Sequence, residues 1–188
     1  MGRLGAEEHR DGQVIQFKKA LPGQTISDQE LRAKAKRMLG EIKASRYKIV
    51  HETFRDGNWE LVIRNADGSN PVNLTRTPAL HELFPHASPD GKRLVFLVDE
   101  GEGKGRTRNV YYMNADGTGR VKVGENGCEP FWSPDGKVIA FAKGTLYNVS
   151  EGYNTGLYFY NIETKQYSQH PKKDMAGLTN PSWSPDGK

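Results

Sequence analysis

Ser133-Pro134-Asp135-Gly136, inside the longer run Trp132 to Lys137, decides how this chain folds, because the same tetrapeptide occurs three times. The other copies are Ser88-Pro89-Asp90-Gly91 and Ser184-Pro185-Asp186-Gly187, so the starts lie 45 and 51 residues apart. A spacing of that size marks a tandem array of one structural unit. A second run interleaves with the first. Asn65-Ala66-Asp67-Gly68 and Asn114-Ala115-Asp116-Gly117 stand 49 apart, and Asn161-Ile162-Glu163-Thr164 takes the same place 47 residues on. Each unit therefore carries two turns.

Both runs have the chemistry of type I turns. In Ser-Pro-Asp-Gly the proline presets φ, aspartate suits the next position and glycine accepts positive φ at the exit. The segments between turns read as short strands, being apolar, rich in β-branched and aromatic residues, and too short for helices. Lys92–Val98 and Lys137–Ala142 follow the serine turns, and Glu60–Arg64, Val110–Met113 and Leu157–Tyr160 precede the asparagine turns. Weaker strands are expected at Val72–Thr75, Arg120–Val123 and Gln166–Ser168. A fourth set, Phe84–Ala87, Pro130–Trp132 and Pro181–Trp183, leads into the serine turns. Pro85, Pro130 and Pro181 are expected at the start of these strands, where a missing N–H is tolerated.

Four antiparallel strands in a repeat of this length describe a propeller blade. The expected fold is all-β: a β-propeller fragment of about two complete blades plus partial ones, behind an N-terminal amphipathic helix. Residues 48–77 supply three strands of a first blade, about 81–127 and 128–173 make two full blades, and a fourth begins near 178. Because closure takes roughly four to eight blades, the array is expected to be part of a six- or seven-bladed propeller. The Trp-Ser-Pro-Asp-Gly-Lys runs at Trp132 and Trp183, the apolar strand after them and the Asn-Ala-Asp-Gly turns resemble the TolB-type β-propeller repeat over about residues 48–188. The copy at Ala87–Lys92 departs from it by carrying Ala in place of Trp.

Residues 1–47 are a separate leader and hold the formal net charge of +4. Ser27-Asp28-Gln29-Glu30 fits a capping box. Leu31, Ala35, Met38 and Ile42 then recur at helical spacing, predicting an amphipathic helix over about 28–44 with Arg32, Lys34, Lys36, Arg37 and Lys43 away from the stripe. Such a helix either packs on the propeller, with its basic face in water, or meets an acidic partner or an anionic membrane. No stretch is long and apolar enough to predict a membrane span, and Met1–Gly5 lacks the apolar core of a signal peptide.

Catalytic chemistry is not legible. His81 and His86 are five apart with Pro85 between them, which does not match the helical zinc pair. The single Cys128 sits beside Glu129, an anion that opposes a thiolate. The aspartates of the turns recur with the fold and read as structural: Ser88, Pro89, Asp90 and Gly91, with their counterparts Ser133–Gly136 and Ser184–Gly187. No cofactor, resident metal or nucleic-acid partner is expected. His81, Glu82 and His86 from one blade, Asn126 and Glu129 from the next and Asn180 from the third are expected at the mouth of the central channel. The resemblance implies a non-enzymatic scaffold for protein partners in the bacterial cell envelope, periplasmic, supporting envelope integrity or import of large molecules. The alternative is the gating propeller of a prolyl-oligopeptidase-like serine peptidase with a separate catalytic domain. A weaker one is a carbohydrate-active or lyase propeller with a channel site around His86.

Overall fold

A computed structural model describes residues 27–44, 46–144, 156–172 and 182–187. Each serine turn closes through a bond from its glycine N–H to the serine carbonyl, at 2.8–2.9 Å in all three copies. The asparagine turns at Asn65 and Asn114 close the same way, with Gly68 and Gly117 at positive φ. At Asn161 the turn is one residue longer: Lys165 N–H donates to the Asn161 carbonyl and Lys165 takes positive φ.

Among the described residues the turns organise eleven strands into three antiparallel sheets. The first is β1 (Lys48–Arg55), β2 (Asn58–Asn65) and β3 (Val72–Asn73). The second is β4 (His81–Ala87), β5 (Arg93–Glu100), β6 (Thr107–Asn114) and β7 (Val121–Gly124). The third is β8 (Gly127–Trp132), β9 (Val138–Lys143), β10 (Gly156–Asn161) and β11 (Tyr167–Gln169). Strands follow sequence order in every sheet, so each is an up-and-down blade, and the first lacks an inner strand among the described residues. Ser182 and Trp183 join no ladder.

The inner strands correct one expectation. Pro85 and Pro130 do not open their strands but sit in bulges, where the register with β5 and β9 shifts between Leu83 and His86 and between Cys128 and Phe131. Phe84 and Glu129, the residues before the prolines, both have φ of 51°. The bulge absorbs the missing donor of the proline and re-aims the strand. Asn180 holds the matching place in the third copy and lies outside the described residues.

Apolar residues alternate along the strands and fill two layers. Leu61, Leu94, Phe96, Val98 and Met113 lie between the first and second blades. Leu83, Val95, Leu97, Val110, Tyr112, Trp132, Ile139 and Phe141 lie between the second and third. A fully buried phenylalanine such as Phe96 or Phe141 contributes roughly 1.5–3 kcal/mol, so neighbouring blades stabilise each other. Trp132 also donates through Nε1 to the His86 carbonyl at 3.2 Å, tying one inner strand to the one before it. The Ala87 blade has no inner strand before it among the described residues, hence no such acceptor for a tryptophan.

Cα packing divides the chain into two units, Met1–Ser45 and Arg46–Lys188. The first contains α1 (Asp28–Ala44), whose capping box is formed: Ser27 N–H and Oγ each donate to Glu30 Oε2 at 2.8 Å, and Glu30 N–H returns a bond to Ser27 Oγ. Among the described residues no helix is long and apolar enough to cross a membrane.

Candidate functional site

Loops 56–57 and 101–106, which join second to third strands, and loops 74–80 and 125–126, which lead into the next inner strand, emerge at the end of the blades opposite the repeated turns. Much of the buried polar chemistry here holds those loops. Glu60 accepts from Asn58 Nδ2 at 2.9 Å, from Thr77 N–H at 3.0 Å and from Thr75 Oγ1. Asn109 takes the corresponding place one blade on, five residues before the asparagine turn, and receives Asn126 N–H on its Oδ1 at 3.2 Å. Tyr111 donates its hydroxyl to Glu100. Burial, reinforced by that carboxylate, pushes the phenol up to about 12.

Two further groups concentrate charge. Asp99 is buried and accepts two bonds from Arg108, at 2.6 and 2.8 Å, and stands 2.9 Å from Arg106 Nη2. Glu82 has no exposure at all: its Oε1 receives Arg120 Nη1 at 2.8 Å and the Thr77 hydroxyl. The sequence reading expected Glu82 at an open mouth. The structure instead places its carboxyl between the first two blades, because it shares a strand face with residues paired to the apolar layer, including Val98 opposite it.

The other expected residues are spread along the inner strands. His81 is half-buried, and its Nδ1 accepts from Trp59 N–H at 3.2 Å. His86 lies past the bulge, with its ring 4.9 Å from that of Phe131 on the next inner strand, and burial lowers its pKa. The residue as a whole is exposed. Asn126 is at positive φ, and its carbonyl accepts from Gly144 N–H at 2.7 Å. Glu129 is the half-buried bulge residue. Cys128 is half-buried, and burial followed by the charge of Glu129 pushes its thiol up to about 11. The structure thus joins His86 to the neighbouring inner strand and Asn126 to the loop end, and buries Glu82 apart from them.

What the sequence reading missed is an aromatic group at the same end. Phe54 and Trp59 are cross-strand partners with ring centroids 5.3 Å apart, yet are 57% and 36% exposed. Phe84, 50% exposed, donates its N–H to Glu52 Oε2 at 2.7 Å and lies under Arg108, 5.8 Å from its ring centre. Counting the ladder back from Asn65 and from Asn114, the seventh pair is Phe54–Trp59 in the first blade and Asp99–Arg108 in the second. Aligning the repeats on their asparagine turns reveals this exchange in the sequence itself.

No family model matches the chain. A protein described as a TolB homolog from Chlorobaculum tepidum is 34% identical over 89 residues, covering 46% of this chain and 19% of that protein. The solved structure of TolB from Acinetobacter baumannii superposes with a TM-score of 0.54 at 22% identity, over 75% of this chain and 34% of that one. The crystal structure of the tricorn protease superposes with a TM-score of 0.52 at 12% identity, over 77% of this chain and 14% of that one. The chain thus matches about a fifth of the length of the curated relative and a third of the solved TolB. Over that span it folds as a TolB-type β-propeller repeat array.

Proposed function

We propose that the repeats form a non-enzymatic scaffold that binds a protein partner through the loop end of the blades, in a bacterial cell envelope. The exposed Phe54–Trp59 pair carries this reading. One blade on, the fold accepts the Asp99–Arg108 ion pair at the same place, so packing does not demand aromatic residues there. Large exposed rings grouped at one end are characteristic of a surface that a partner covers. Rigid strands hold the loops on which such binding residues stand. Phe84 extends the aromatic surface, and His81 and Glu129 on the inner strands, with Asn126 in the loop before one of them, supply polar groups. The periplasmic setting rests on the resemblance to TolB-type proteins.

The test is capture of partners from envelope extract by the full-length protein and by its His81→Ala/His86→Ala/Glu129→Ala variant, with thermal melts of both. Loss of recovery at an unchanged melting temperature supports the proposal. Equal recovery by the variant removes these residues from it. The superposition on a protease favours a second reading, a propeller serving a peptidase domain. Labelling of the full-length protein by a fluorophosphonate, with peptide hydrolysis blocked by it, would establish that reading over the scaffold.

A further inference from the structure

We infer that α1 is a surface anchor that lies on an anionic lipid bilayer. Leu31, Ala35, Met38, Leu39 and Ile42 fall at i, i+4, i+7, i+8 and i+11, one stripe of the helix. Leu31, Met38 and Leu39 are each about half exposed. By helical spacing Arg32 and Lys36 run along the border next to Leu39, and Lys34 stands at the opposite border next to Met38. Among the described residues none of these three cations is in an ion pair. Of the three acids of the helix, Glu30 is engaged in the cap with Ser27 and Glu41 stands 3.9 Å from Arg37, while Asp28 lies in the first turn, where a negative charge suits the helix dipole.

An apolar stripe with cations on both borders matches a bilayer surface, where acyl chains lie beneath a layer of phosphates. The helix is about 25 Å long at the usual rise per residue. Most of the stability of an amphipathic helix comes from covering its apolar face rather than from propensity, so cover over the stripe stabilises it. Its charge density keeps it in the interface plane rather than across the membrane.

The experiment is flotation of the full-length protein with vesicles of phosphatidylcholine alone or with about 30 mol% phosphatidylglycerol, at low and high salt. The expected result is binding to the anionic vesicles only, weakened by salt. Arg32→Glu/Lys36→Glu and Leu31→Gln/Met38→Gln should each weaken it about tenfold or more. Glutamate and glutamine are good helix formers, so the variants keep the helix. No flotation of the parent on anionic vesicles overturns the inference, as does equal flotation of parent and both variants. So does capture of a protein partner by α1 in place of vesicle binding.

Discussion

Arg120 Nη1 stands 2.8 Å from Glu82 Oε1, although Glu82 is on the inner strand of its blade and Arg120 immediately precedes the outer one. The guanidinium reaches across the sheet over the rings of Tyr111 and Phe96, 4.8 and 5.4 Å from their centres. Thr77 extends the link, since its N–H serves Glu60 of the first blade and its hydroxyl serves Glu82 of the second. The pair therefore belongs to the contact between blades. Removing one partner of a buried pair leaves the other charge uncompensated, at a cost of about 3 kcal/mol or more. Glu82→Ala should lower the urea midpoint accordingly, and Glu82→Leu with Arg120→Met should recover much of the loss. If Glu82→Ala melts like the parent, the pair has no structural role.

Gly124 is fixed by packing rather than by its backbone conformation. A Cβ there would lie 2.5 Å from Cζ of Phe141, a fully buried ring. Gly124→Ala should destabilise by roughly 1–3 kcal/mol through overpacking. Shortening the ring in Gly124→Ala/Phe141→Leu should return part of it. A single variant as stable as the parent would mean that Phe141 moves aside freely.

Cys128 should be unreactive while the protein is folded. An ordinary thiol titrates near 8.5, whereas burial and Glu129 hold this one up at about 11. Only the thiolate reacts, so at pH 8 iodoacetamide should label native protein roughly two orders of magnitude more slowly than urea-unfolded chain. Equal rates in the two states would show that the thiol is not shielded.

His86 makes the contact between inner strands sensitive to acid. Its folded pKa is depressed by partial desolvation of the imidazole, which stands beside the Phe131 ring. The unfolded chain then binds the proton more readily, so the neutral histidine contributes stability above its ordinary pKa of about 6.5 that is lost as pH falls through the folded value. Between pH 7.5 and 5.5 the parent should lose more stability than His86→Phe. Parallel losses would remove His86 as the cause.

How much the sequence discloses follows from how local each determinant is. Ser133-Pro134-Asp135-Gly136 announces its turn because everything it needs lies within five residues: Asp135 Oδ1 accepts from Ser133 Oγ and Lys137 N–H, and Ser133 Oγ receives Val138 N–H. Strands bounded by such turns were legible for the same reason. The Pro85 and Pro130 bulges were not, because a register shift is a property of two paired strands. The burial of Glu82 was not legible either, because its partner Arg120 arrives from the far side of the blade. Phe54 and Trp59 carry no turn or motif signal of their own, and only the ladder sets them at the position that Asp99 and Arg108 hold one blade on.

That exchange gives the most direct measurement of the central claim, that the aromatic end of the first blade exists for recognition. Phe54→Asp/Trp59→Arg rewrites the pair as the one the second blade carries at the same ladder position. Full-length parent and variant would be melted side by side and compared by quantitative capture from envelope extract. The account predicts equal melting temperatures and loss from the variant of the partners the parent recovers. Undiminished recovery by an equally stable variant would contradict it.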